Sequence, residues 1–189
     1  MPLKTFVKVG SITNLSDARY CAGMGVDLLG FCALEGQANY ISPKQFQEIR
    51  GWVSGPKVVA EISGLNHAAA LSAIIENYRP DFLELGVAEL PAVGKLSIPL
   101  ILRGTASELQ QLTTEQKNIA FMLIQEHDKV ELLPDGIPVL LELTSLSNLE
   151  VLHHHPSFGI ALSGSSEISP GLKNYDHLAE VLEQLEIQD

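Results

Sequence analysis

The chain has few cysteines, few bases and no long apolar run. Its two cysteines, Cys21 and Cys32, cannot make a disulfide framework. Both stand in apolar surroundings and read as small core residues, so a reducing, cytoplasmic compartment is expected. No apolar run approaches the ~20 residues of a membrane span. The start, Met1-Pro2-Leu3-Lys4-Thr5, lacks the apolar stretch of a signal peptide and leads straight into a strand. No membrane association is therefore expected. Lys and Arg number 12 against 23 Asp and Glu, and the net charge of −11 argues against nucleic acid as a partner. No G-x-G-x-x-G follows the first apolar segment, so nothing favours a dinucleotide fold.

What remains is a well-packed globule. The 189 residues, 46% of them apolar, predict one domain over 1–189 with a sizeable core. From Val130 to Asp189 ten acids face a single base, Lys173, so nine of the eleven net negative charges lie in the last third. Such a segment ordinarily makes a solvated, solubilising surface.

Short apolar segments alternate with amphipathic ones from end to end, which predicts a parallel sheet with helical crossovers. Strands read at 5–11, 26–33, 57–63, 81–86, 99–103, 119–125, 138–143 and 159–163, all rich in Val, Ile and Leu. Ser42-Pro43 is an N-cap followed by Pro at the first helical position, with Phe46, Ile49, Trp52 and Val53 expected on one face. Helices are also predicted over 15–24, 67–78, 107–115 and 148–154. A last helix carries Leu178, Val181, Leu182 and Leu185 at helical spacing. Segments 91–95 and 129–133 are poor helices, so those connections are expected to be a turn or two. Eight βα units in this length predict a compact α/β fold, a (βα)8 TIM barrel, with a doubly wound open sheet as the competing topology.

Two stretches are specific. The opening Val7-Lys8-Val9-Gly10-Ser11-Ile12-Thr13, running on to Phe31, and the Tyr40-Ile41-Ser42-Pro43 that follows resemble the first units of the phosphoribosylanthranilate isomerase family of tryptophan biosynthesis. Near the end, Ser166-Glu167-Ile168-Ser169-Pro170-Gly171-Leu172-Lys173-Asn174 resembles the family's "VExxPGxKD". The resemblance implies an Amadori rearrangement of a substrate bearing a phosphate and a carboxylate, without a cofactor. It places the general base at Gly10, the general acid at Gln125 and an anion-binding Arg at Asn39. Lys8, Glu167, Pro170, Gly171 and Lys173 are retained. Ser163-Gly164-Ser165 keeps the small, donor-rich character of a phosphate cup.

The chemistry shows what these substitutions remove. Acid and base contribute ~10²–10⁴-fold each in such reactions. Gly10 offers no proton acceptor, and the Gln125 amide does not titrate near neutral pH. The chain therefore reads as a catalytically degenerate or repurposed relative that holds, at most, a small-molecule ligand, phosphorylated if the cup survives. Two alternatives stay open. One is a true isomerase with Glu126 or Glu84 as relocated acid and base. The other is a barrel enzyme for another small phosphorylated or carboxylated metabolite, using Lys8, Glu84 and Arg103. Lys8 and Arg103 are expected to neutralise some of Glu61, Glu84 and Glu142 inside the barrel, as a structural ion network or as a new site with a Glu acid/base and a cationic anchor.

No metal is expected. His153-His154-His155 ends a predicted helix, where consecutive side chains splay ~100° apart. His67 and His127 read as solvated loop residues near the mouth, and Cys32 as core rather than nucleophile. The assembly is expected to be a monomer or a homodimer.

Overall fold

The computed structural model describes residues 3–65, 68–94, 96–112, 118–125, 127–143, 149, 158–164, 166–169, 172–174 and 176–187. Eight strands close into a parallel barrel in sequence order: β1 (Val7–Gly10), β2 (Leu28–Cys32), β3 (Lys57–Glu61), β4 (Phe82–Gly86), β5 (Leu100–Arg103), β6 (Ile119–Gln125), β7 (Val139–Glu142) and β8 (Gly159–Ser163). Closure is made by β1 on β8, in register from Val7 against Ile160 to Gly10 against Ser163. The open sheet is thereby excluded. A two-stranded antiparallel ribbon, β9 (Ser166–Ser169) with β10 (Leu172–Asn174), follows the barrel and was not expected from the sequence.

Helices α1 (Leu15–Gly23), α2 (Pro43–Arg50), α3 (Ala68–Tyr78), α4 (Leu90–Val93), α5 (Ala106–Gln110) and α6 (Asp176–Leu185) connect or follow the strands. Their starts are set by local chemistry. Asn14 accepts from the Asp17 N–H, and Ser42 and Thr105 form capping boxes with Gln45 and Glu108. Pro43 occupies the first turn of α2, as expected. The connections after β4 and β6 are the short elements anticipated: a 3₁₀ turn at Val87–Glu89 running into α4, and another at Val130–Leu132.

Two expectations need correction. Helix α5 stops at Gln110, short of the predicted 115. Trp52 does not join the buried face of α2. The helix ends at Arg50 with Gly51 as its cap, so the helical period no longer governs residue 52, and Trp52 is 74% exposed. The predicted helix at 148–154, with His153, His154 and His155, lies outside the described residues, as does His67.

Alternation along each strand divides the apolar residues into two cores. Outward residues such as Val7, Val9, Leu83, Leu85 and Leu102 pack with Phe46, Ile49, Leu71 and Val181 of the helices. Inward residues Leu28, Val59, Ile101, Leu123, Leu140 and Ala161 fill the barrel, with Phe6, Phe82 and Phe121 against them. The next inward position on β3, β4, β5 and β7 falls two residues later, at Glu61, Glu84, Arg103 and Glu142. The same period that buries an apolar plug thus lifts four charged side chains to the C-terminal mouth.

Candidate functional site

At that mouth lies a cavity of about 240 Å³, lined by Lys8, Glu61, Glu84, Arg103 and Glu142 together with Ser11, Cys32, Gln37, Ser63 and Ser163. The charged groups form one continuous chain. Lys8 Nζ sits 2.7 Å from Glu61 Oε1 and 2.7 Å from Glu84 Oε2. Glu84 Oε1 accepts from Arg103 Nη2 at 3.0 Å and Nε at 3.3 Å, and Arg103 Nη1 donates to Glu142 Oε2 at 2.7 Å. Signs alternate from Glu61 to Glu142, with a carboxylate at each end and one negative charge in surplus.

Burial separates the inner members from the outer ones. The Lys8 and Glu84 side chains are each 2% exposed, against 14% for Glu61, 22% for Glu142 and 36% for Arg103. Burial alone would push the Glu84 carboxyl up, but Lys8 and then Arg103 outweigh it and hold the group below its ordinary value. Burial likewise pulls the Lys8 ammonium down, yet Glu61 and Glu84 more than offset it and raise its pKa. For Arg103 the loss of hydration is again overcome, by Glu84 and Glu142, and its pKa rises. Charge pairing thus offsets burial at Lys8 and Glu84, which form the deepest part of the cavity lining. The outer groups face the cavity.

From sequence Glu61 was legible only as one of the three carboxylates expected inside the barrel, not by its place over two glycines. Its Oε2 accepts from the Ser11 N–H at 3.0 Å, while Oε1 is held by Lys8. The carboxylate lies directly over two glycines. A Cβ on Gly10 would fall inside van der Waals distance of Glu61 Oε1 and stand 2.8 Å from Lys8 Nζ. A Cβ on Gly30 would overlap the same oxygen, with Glu61 Cδ at 2.8 Å and the Gly10 Cα at 3.0 Å. Gly10 and Gly30 therefore form a cradle that only two residues without side chains can make, and a carboxylate from β3 fills it. Ser11, at φ 55°, adopts the left-handed conformation that non-glycine residues seldom take. In that conformation its N–H donates to Glu61.

Other expected residues are placed as follows. Gln125 and Asn39 are exposed, Asn39 at φ 64°. Ser163 lines the cavity. The Gly164 N–H donates to the Gly10 carbonyl at 2.7 Å and so is already engaged within the barrel rim. Ser165 and Glu126 lie outside the described residues. Cys32 lines the cavity half-buried; burial foremost, with the Glu61 charge adding to it, pushes its thiol up. Cys21 is buried in α1, its thiol pushed up to about 12 by burial and then by Asp17. His127 is exposed. Among the described residues no group of three or more His, Cys, Asp or Glu is arranged to hold a metal ion, and no helix is long and apolar enough to cross a membrane.

No protein-family model matches the sequence, and no curated protein matches it. Solved structures do. Phosphoribosyl anthranilate isomerase from Thermus thermophilus superposes with a TM-score of 0.74 at 20% identity, covering 95% of this chain and 98% of that one. N-(5'-phosphoribosyl)anthranilate isomerase from Pyrococcus furiosus gives 0.72 at 16% identity, over 96% and 98% of the two chains. A phosphoribosyl anthranilate isomerase in complex with reduced 1-(o-carboxyphenylamino)-1-deoxyribulose 5-phosphate gives 0.69 at 16%, over 95% and 97%. At these identities the likeness establishes the shared barrel.

Proposed function

We propose that the protein is a phosphoribosylanthranilate isomerase-like barrel whose mouth has been rebuilt for a different small molecule, with Glu61 as its proton acceptor. One observation carries this reading: the Glu61 carboxylate occupies the space over Gly10, where the family resemblance implies a basic side chain. Its supports suit a base. Lys8 and the Ser11 N–H hold it in one orientation, and its partial exposure leaves oxygen lone pairs open to the cavity. Arg103 lines the same cavity more openly and supplies a fixed positive charge there.

The rearrangement catalysed by the barrel's structural neighbours is not the reaction supported. Cationic partners favour a substrate with a phosphate and a carboxylate, and here Asn39 carries no charge while the two cations among the described cavity residues already hold carboxylates. The Gln125 amide cannot donate a proton as an acid does.

The test is genetic and enzymatic. The gene is expected not to rescue a tryptophan auxotroph lacking this isomerase, and the purified chain is expected not to turn over N-(5'-phosphoribosyl)anthranilate. Robust rescue sinks the rebuilt-mouth reading. Rescue that disappears in Glu61→Gln would keep Glu61 as the base and assign it to the neighbours' reaction instead.

A further inference from the structure

We infer that the mouth accepts an uncharged polyhydroxylated carbonyl compound, a free sugar rather than a sugar phosphate, and that Glu61 and Arg103 isomerise it through an enediol. The inference rests on the reading of Glu61 as a base and adds the substrate class and the reaction.

The charge order of the network selects against phosphate. The chain from Glu61 to Glu142 ends in carboxylates, and those two strand ends, on β3 and β7, lie four strands apart in a ring of eight, on opposite sides of the mouth. Lys8 lies beneath them, almost wholly buried. Arg103 is flanked by Glu84 and Glu142. Among the described lining residues a dianion entering this cavity meets one surplus negative charge, and every cation there already has a carboxylate partner. The Gly164 N–H, placed where a phosphate cup would present a donor, binds the Gly10 carbonyl.

What the cavity does offer is hydroxyl chemistry. Ser11, Ser63 and Ser163 contribute hydroxyls, Gln37 an amide, and Glu61 and Glu142 acceptor oxygens. Such groups satisfy sugar hydroxyls, each a donor and an acceptor, without requiring ligand charge. Arg103 uses three of its five N–H groups on Glu84 and Glu142, which leaves two for a ligand oxygen.

The reaction follows from that pairing. Glu61 takes the proton from the carbon beside the ligand's carbonyl. The C–H electron pair becomes a C=C bond, and the carbonyl π pair moves to oxygen, where Arg103 stabilises the enediolate. The hydroxyl proton of the neighbouring carbon passes to that oxygen, and Glu61 returns its proton to the former carbonyl carbon. Aldose becomes ketose with atoms and electrons balanced and no co-reactant.

The wild-type chain is titrated by calorimetry with a panel of neutral aldoses and ketoses, triose to hexose, and with their terminal phosphates. Proton NMR in D₂O then follows exchange of the hydrogen next to the carbonyl. At least one neutral sugar is expected to bind about tenfold or more tightly than its phosphate and to exchange that hydrogen. Tighter binding of the phosphates, or saturable binding of neither class, overturns the substrate inference. Binding without exchange overturns the reaction. A sugar that exchanges equally fast in the wild type and in folded Glu61→Gln would instead overturn the reading of Glu61, so the two failures are distinguishable.

Discussion

Replacing Gly30 by Ala puts the cradle under Glu61 to a quantitative test. The new Cβ would overlap Glu61 Oε1 and stand 3.0 Å from the Gly10 Cα. Overpacking of this kind costs about 1–3 kcal/mol. The carboxylate must also leave Lys8, forfeiting a charge-assisted hydrogen bond worth about 1.5–3 kcal/mol. Ala restricts the unfolded chain more than Gly and returns about 0.4–1 kcal/mol. The balance is a loss of about 1.5–5.5 kcal/mol. Removing the carboxylate first changes the outcome. In Glu61→Ala, Lys8 retains Glu84 at 2.7 Å and is not stranded, and the atom in the way is gone. The Gly30→Ala substitution should then cost about 2 kcal/mol less than in the wild type. Urea unfolding of the wild type, the two single variants and the double variant measures this coupling from midpoints at constant m. Additivity within about 0.5 kcal/mol would show that Glu61 does not lie over Gly30, and the reasoning about the mouth would fail with it.

Three further outcomes follow from the same geometry. Glu84→Gln should lower stability by about 3–5 kcal/mol at neutral pH, because it breaks a buried pair from one side. Since the folded Glu84 carboxyl is held below its ordinary value, its contribution is present above the unfolded value of about 4.3 and is lost as pH falls through the folded one. The variant should therefore lose less stability than the wild type on acidification below about pH 4, and parallel acid limbs in pH-resolved urea titrations would contradict this. Rebuilding the family positions with Gly10→Cys, Gln125→Asp and Asn39→Arg should give no isomerase activity while Glu61 remains, because a side chain at residue 10 collides with it. Activity of that triple variant without a change at Glu61 would refute the steric argument. Trp52 is the chain's single tryptophan and lies largely in solvent, so its fluorescence should be water-like in the native state and shift little on unfolding. A blue native emission that moves to the red with urea would place the ring in a core.

Much of this molecule can be read without coordinates, because its rules are local. Apolar alternation fixed eight strands. Ser42-Pro43 and the weak helical segments after the fourth and sixth strands fixed where helices start and where they shrink to a turn. The charged network was half-legible: Lys8, Glu84 and Arg103 stand at inward strand positions, and their pairing follows from the cost of burying charge. Trp52 shows the opposite limit, since periodicity counts residues but does not announce that Gly51 has ended the helix.

Sequence by itself determined that Gly10 carries no reactive group, and that the parallel strands must be covered by helices. Only the closed barrel decided what fills the gap. Glu61 and Gly10 are far apart in the chain, and Gly30 lies on a third segment. Strand register, Cys32 beside Glu61 on β2 and β3 and Gly10 beside Ser163 on β1 and β8, brings their levels together at one rim. A side chain's reach across a barrel depends on tilt, stagger and the absence of neighbouring Cβ atoms, which are properties of the assembled ring and of no single segment.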